Sequence, residues 1–213
     1  MAELFRIPYK QMPLDENFRL KIDDYKGKNG GIVFPNPNAP TGIYESLDHV
    51  EEIIKNNPDV IVIVDEAYID FGGETALPLI DKYDNLVVVR TFSKSRSMAG
   101  LRIGYAISNP ELIKALNDVK YSYNSYTMNR PSLVLGVESI HDDAYFREKV
   151  GQIIATRERF VKEIAELGFT CLPSSANFVF ATHESIPAKE ILLRQKRIIS
   201  MCVILISQGL TII

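Results

Sequence analysis

The 213-residue sequence contains few of the residues that build disulfide frameworks and metal sites: two cysteines, Cys171 and Cys202, three histidines and no tryptophan. Two cysteines are too few for a disulfide-stabilised fold, and with three histidines they supply few ligands for a zinc site. We therefore predict no metal site. The scarcity of cysteine also fits a reducing compartment, so we expect the protein in the cytoplasm.

Neither sign of charge is concentrated, and no hydrophobic run is long. The chain has 24 Lys and Arg against 27 Asp and Glu, a net charge of −3, without the basic block that nucleic acid binding requires. The longest uncharged stretch, residues 198–213, is shorter than the roughly 20 apolar residues of a membrane-spanning helix. The amino terminus lacks the apolar core of a secretory signal. We expect small-molecule partners, with no nucleic acid and no membrane.

What is present is an average globular composition, 46% hydrophobic and 24% charged, in a chain long enough for one domain and part of a second. Residues 60–64 are five consecutive β-branched residues, which is typical of a strand covered on both faces in a parallel sheet. Further strands are predicted at 31–34, 86–90 and 102–107, and in a second, smaller unit at 169–172 and 177–181. Helices are predicted at 47–56, 110–120, 131–140 and 144–167. The pattern predicts an α/β fold, mainly a parallel sheet with helices on both faces.

Polar side chains follow several of these strands. Asp65 comes directly after the β-branched run, with Tyr68 behind it, and Lys94 follows the strand at 86–90, with Arg102 eight residues later. In open α/β sheets, ligands bind beyond the carboxyl ends of the strands. Taken alone, Asp65 could simply cap the next turn and Lys94 could be a surface charge. Together they supply an amine for a Schiff base, an acid for a pyridinium nitrogen, a phenol and a guanidinium for a phosphate, the parts of a pyridoxal 5'-phosphate site.

Three segments carry a family resemblance. They are Asn-Pro-Asn-Ala-Pro-Thr-Gly at 36–42, Val-Asp-Glu-Ala-Tyr at 64–68, and Thr-Phe-Ser-Lys-Ser-Arg-Ser-Met-Ala-Gly-Leu-Arg-Ile-Gly at 91–104. In order and spacing they resemble the signatures of fold-type I aminotransferases, specifically the histidinol-phosphate aminotransferases, and the similarity runs from about Ala2 to Lys196. The resemblance implies transamination of histidinol phosphate with 2-oxoglutarate, dependent on pyridoxal 5'-phosphate, by an enzyme that is a homodimer at full length.

The resemblance also implies the domain organisation. It predicts a partial large cofactor-binding domain at 1–143, a bridging helix at 144–167 and the remnant of a small α/β domain at 168–213, with an aberrant tail from about 197. Family members begin upstream with a segment that holds part of the cofactor site, so we expect the chain to lack that part. A shift of reading frame between about 195 and 199 would explain the tail.

Residue roles follow from the same resemblance. Lys94 is implied to bond the cofactor and then to move a proton, Asp65 to pair with the pyridinium nitrogen, and Tyr68 to contact the ring's phenolic oxygen. The implied phosphate ligands are Thr91, Ser93 and Arg102.

Three asparagines are further candidates. The family places Asn directly before Pro-Thr-Gly, where this chain has Ala39, so Asn38 is the candidate for the ring oxygen. The alternative for this loop is a rigid multi-proline turn that shapes the wall of the site. Asn124 and Asn177 lie in segments that resemble those lining the substrate side of the family's site, and a structural hydrogen bond is the alternative for each.

Three functions remain open from the sequence. The first is the aminotransferase, for which we expect weak cofactor retention and little or no turnover by this chain alone. The second is a related decarboxylase of amino-acid phosphates that uses the same cofactor. The third is a catalytically silent fragment of an interrupted gene.

Overall fold

A four-stranded sheet is the larger of two sheets in the computed structural model, which describes residues 3–195. Its strands lie side by side in chain order, as β1 (Ile32–Pro35), β2 (Val62–Asp65), β3 (Leu86–Thr91) and β4 (Gly104–Ile107). The first three are parallel, and β4 runs antiparallel to β3. The predicted α/β class with a mainly parallel sheet is confirmed.

Helix α1 (Leu47–Lys55) forms where the sequence predicts it, between β1 and β2. The Ser46 hydroxyl accepts a hydrogen bond from the His49 amide at its start. Val50, Ile53 and Ile54 fall on one helical face and are fully buried against the sheet. The core that they complete consists of Ile32, Phe34, Val50, Ile53, Ile54, Val62, Val64, Ala76, Leu79, Leu86 and Val88.

Three helices follow the sheet. Each begins at an asparagine or aspartate whose side chain accepts an amide of the first turn: α2 (Pro110–Tyr123), α3 (Arg130–His141) and α4 (Asp143–Ala165). Helix α3 turns its small residues inward. The Ser132 hydroxyl donates to the Leu101 carbonyl at 2.8 Å, and a Cβ on Gly136 would lie 2.9 Å from the Ile103 side chain. The three predicted helices are thus confirmed, with shifted ends.

A two-stranded antiparallel sheet, β5 (Phe169–Cys171) and β6 (Ala181–His183), comes after α4 and is followed by helix α5 (Ala188–Gln195). The strand predicted at 177–181 is wrong, because only its last residue lies in β6. The Ser174 hydroxyl binds the Phe178 carbonyl at 2.6 Å, which keeps this segment in a loop. The tail predicted to be aberrant from about 197 lies outside the described residues. Within residues 3–195, no helix is both long enough and apolar enough to cross a membrane.

Candidate active site

Three loops start at the carboxyl edge of the parallel strands. The Asn36 amide donates to the Asp65 carbonyl at 2.8 Å, and the Glu66 amide donates to the Val89 carbonyl at 2.9 Å, so the hydrogen-bond ladder continues into the loops. This edge therefore collects the loops that carry Asn38, Asp65 and Lys94, as expected for ligand sites in open α/β sheets.

Asp65 ends β2 and is half-buried. Its Oδ1 accepts the Ala67 amide at 2.9 Å, so the turn-capping role that the sequence left open is real. No residue among 3–195 donates a hydrogen bond to the other carboxylate oxygen. One oxygen therefore fixes the carboxylate, and the second can accept a ring N–H.

Lys94 and Tyr68 meet above this edge. The Lys94 Nζ lies 5.1 Å from the centroid of the Tyr68 ring, within the range of a cation–π contact. The Tyr68 ring in turn packs edge-on against Phe178, with centroids 5.1 Å apart. In the described part of the chain Lys94 forms no ion pair with a carboxylate, which leaves its amine available to a ligand.

The predicted phosphate ligands divide into two groups. The Thr91 hydroxyl donates to the Ser93 hydroxyl at 2.9 Å and accepts the Ser93 amide at 3.1 Å, so these two side chains share one small cluster. Arg102 forms no hydrogen bond with either of them among residues 3–195, although the Thr91 hydroxyl contacts the carbonyl of its neighbour Ile103 at 3.2 Å. Arg102 is exposed, its backbone is left-handed at φ 55°, and its Nη1 donates to the Ala99 carbonyl at 3.0 Å.

Asn38 carries an unpartnered polar atom. Its Oδ1 accepts the Thr41 hydroxyl at 2.8 Å, whereas its buried Nδ2 has no hydrogen-bond partner within residues 3–195. A buried donor without an acceptor costs about 1–3 kcal/mol, so an acceptor supplied by a ligand would relieve a real penalty. An amine, a carboxylate, a phenol and paired hydroxyls all come at or after the carboxyl ends of these parallel strands, so the residues fit the cofactor that the sequence predicts.

The two substrate-side candidates occupy different places. Asn177 is exposed in the loop that brings Phe178 to Tyr68. Asn124 is exposed at the end of α2, where its amide closes the helix on the Lys120 carbonyl at 2.8 Å. Within the described ranges, Asn124 shares no hydrogen bond with the other candidates.

Sequence reasoning missed a set of charged residues behind the site. Glu66 is buried beside Asp65 and forms an ion pair with Arg90 of β3, at 2.8 Å from Nη2 to Oε2. The available signal was a charged residue inside a strand: Arg90 directly follows the apolar run of β3. A single sequence does not show which carboxylate such an arginine reaches across the sheet.

Comparison with known proteins decides the family. The model of the family described as aminotransferase class I and II matches residues 1–210. The chain belongs to the class I and II aminotransferases. It is 53% identical over 187 residues to the histidinol-phosphate aminotransferase of Lactococcus lactis subsp. cremoris, covering 88% of this chain and 52% of that protein. This aminotransferase chain spans about half the length of the curated relatives it matches.

Solved structures agree with the fold. The histidinol-phosphate aminotransferase of Clostridium acetobutylicum superimposes with a TM-score of 0.83 at 26% identity, covering 92% of this chain and 62% of that one. The Sinorhizobium meliloti enzyme, solved in complex with pyridoxal-5'-phosphate, gives 0.67 at 29% identity, covering 73% and 43%. This aminotransferase chain therefore has a part of the fold seen in both structures.

Proposed function

We propose that this chain carries the cofactor site of a histidinol-phosphate aminotransferase, which exchanges an amino group between histidinol phosphate and 2-oxoglutarate with pyridoxal 5'-phosphate. The observation that carries the proposal is the Lys94 amine over the Tyr68 ring, at the sheet edge that also holds Asp65 and the unpartnered Asn38 amide. The roughly 50% identity to histidinol-phosphate aminotransferases supports histidinol phosphate as the substrate over the amino-acid phosphate of a decarboxylase.

Each residue has a definite task in this proposal. The bound cofactor supplies an electron sink for the bond broken at the substrate's α-carbon. The Lys94 amine takes and returns the proton at that carbon. The second oxygen of Asp65 would accept the ring N–H, and the Tyr68 hydroxyl and Asn38 Nδ2 would donate to the phenolic oxygen. The remaining candidates are Thr91, Ser93 and Arg102 for the phosphate, and Asn124 and Asn177 for the substrate.

The wider organisation is also proposed. We assign 1–143 to a large domain, 144–167 to a bridging helix and 168–213 to a small domain, because β1–β4 precede α4 and β5–β6 follow it. A cytoplasmic homodimer is proposed for the full-length enzyme. Weak cofactor retention and little or no turnover by the present chain stay predictions.

The first experiment tests cofactor attachment. The purified chain is mixed with pyridoxal 5'-phosphate, reduced with borohydride and mapped by mass spectrometry, and the label is expected on Lys94. Before reduction, the Lys94→Ala variant should lack the visible absorbance of protein-bound cofactor. The Lys162→Ala variant, changed at an exposed position of α4, should keep that absorbance. Labelling that is indifferent to Lys94→Ala would contradict the proposed site.

The second experiment tests the reaction class. Whatever turnover the chain retains with histidinol phosphate and 2-oxoglutarate should yield glutamate without carbon dioxide. Release of carbon dioxide from an amino-acid phosphate would favour the decarboxylase, and a labelled but inert chain would favour the silent fragment.

A further inference from the structure

A buried charge network lies directly behind the candidate site. Both nitrogens Nε and Nη2 of Arg90 donate to Glu66 Oε2, at 3.0 and 2.8 Å, and Thr75 donates to the same oxygen at 2.7 Å. The other oxygen of Glu66 accepts the Ala76 amide at 2.6 Å. The Glu66 side chain is 1% exposed and that of Arg90 17%. A carboxylate with this many donors has essentially one orientation.

The network continues to the segment that carries Lys94. Arg90 Nη1 lies 3.9 Å from Asp70 Oδ1, and the buried Ser95 hydroxyl donates to Asp70 Oδ2. Four members lie within two residues of a site residue along the chain: Glu66 follows Asp65, Asp70 comes two residues after Tyr68, Arg90 precedes Thr91, and Ser95 follows Lys94.

The proposal rests on the proposed function. We propose that Glu66, Arg90, Asp70 and Ser95 are positioning residues that fix the Lys94 segment against the Asp65–Tyr68 segment, with the Ser95–Asp70 contact acting directly on Lys94. None of the four needs to touch the cofactor. Their effect is to hold the Lys94 amine at one place over Tyr68, so that its side chain moves less than that of an exposed lysine.

The geometry explains why arginine stands at position 90. Its planar guanidinium engages Glu66 through two nitrogens while a third faces Asp70, which a lysine ammonium cannot reproduce. Burial by itself lowers the Arg90 pKa, but the hydrogen bonds and charge of Glu66, aided by Tyr105 and Asp70, raise the pKa overall. Arg90 therefore stays charged while it bridges the two segments.

Removal of Arg90 would leave the buried Glu66 carboxylate without its ion-pair partner and would destabilise the fold. The test therefore changes Ser95 and Asp70 instead. The variants are Ser95→Ala and the isosteric Asp70→Asn. Matched controls are Ser122→Ala and Asp59→Asn, both at exposed positions. Circular dichroism checks that each variant is folded. If Ser95→Ala does not fold, the result for Asp70→Asn decides the test.

The readout is the selectivity of reductive labelling by pyridoxal 5'-phosphate and borohydride, measured as the rate at Lys94 relative to the exposed lysines. We expect clear preference for Lys94 in the unaltered chain and a loss of about tenfold in both variants, the effect of one hydrogen bond to a charged group. The controls should not change. If the variants only lost stability, nine-tenths of the protein would have to be unfolded to lower the labelling ratio tenfold. The circular dichroism spectrum would show unfolding of that extent.

Two outcomes overturn the proposal in different ways. Selectivity that persists in folded Ser95→Ala and Asp70→Asn would remove the positioning role and leave the proposed function standing. Absence of any Lys94 preference in the unaltered chain would overturn both, because it would show that Lys94 is not held in a cofactor site.

Discussion

The phenol of Tyr25 makes the free energy of unfolding depend on pH in the alkaline range. Its ring meets Phe34 edge-on at 6.3 Å, and burial, with smaller contributions from Asp24 and Glu45, raises its pKa above the ordinary 10.0. Above pH 10.0 the unfolded chain loses this proton first, so it binds fewer protons than the folded chain. The Tyr25 contribution is complete below pH 10.0 and is lost as the pH rises through the folded pKa.

Tyr25→Phe should therefore flatten the fall of unfolding free energy at alkaline pH, measured by urea unfolding at a series of pH values. Tyr123→Phe serves as the control, because that side chain is 87% exposed. An unchanged alkaline slope in Tyr25→Phe would show that this phenol titrates alike in both states.

At the residue scale, the position of a residue relative to a strand predicted its location in the fold better than its residue type did. The placement of Asp65 and Lys94 was predictable because each follows a β-rich run, and parallel strands bring such positions to one edge. The Glu66–Arg90 pair was not, because its partners are 24 residues apart and meet only once β2 and β3 are neighbours. The turn of Arg102 towards Ala99 depends on a left-handed backbone that the sequence does not announce.

The long helix α4 holds two loops of the site together through one side chain. Arg157 Nη1 donates to the Phe71 carbonyl at 3.0 Å and to the Ala176 carbonyl at 2.7 Å. Loss of these charge-assisted bonds in Arg157→Met should speed amide hydrogen exchange in residues 172–178 by about tenfold. Mass spectrometry measures it, with Arg159→Met on the same helix as control. Equal exchange in both variants would mean that other contacts hold the loop.

A glycine sets how closely two loops approach. Gly42 has φ 79°, and a Cβ there would lie 2.5 Å from Ser174 Oγ. Gly42→Ala should therefore lower the free energy of unfolding by at least about 1–3 kcal/mol, through backbone strain and the clash. Gly151→Ala, in the interior of α4 with open space around it, should raise it by about 0.5–1 kcal/mol. Urea unfolding compares the two, and a Gly42→Ala variant as stable as the parent would refute the close approach.

The same loop shows why element prediction fails where tertiary contacts dominate. Residues 177–181 have strand-like composition, yet the Ser174 hydroxyl takes the Phe178 carbonyl and the Ser175 amide donates to the Gly42 carbonyl at 2.7 Å. Helix α1 and strand β2 were predictable because local periodicity and burial agree there. Contacts between distant loops leave no periodic signal.

At the scale of the whole molecule, the apolar surface is unevenly distributed. The core lies between α1 and one face of the sheet, whereas Val33 of β1 points away from it and is 64% exposed. Helix α3 turns Ser132 and Gly136 inward, so its larger apolar side chains point outward and are each about half exposed: Leu133, Val134, Leu135, Val137 and Ile140. A surface of this kind is typical of a protein–protein contact.

We therefore expect the chain to associate as its concentration rises, with α3 in the contact. Leu133→Glu combined with Val137→Lys places an ion pair four residues apart on this helix, which keeps helix stability and removes two apolar contacts. Sedimentation velocity at several concentrations should show a shift towards monomer in this variant and none in Leu167→Glu, a similar change at an exposed site beyond α4. A parent chain that stays monomeric throughout, or a variant that associates as strongly, would show that α3 is not the contact.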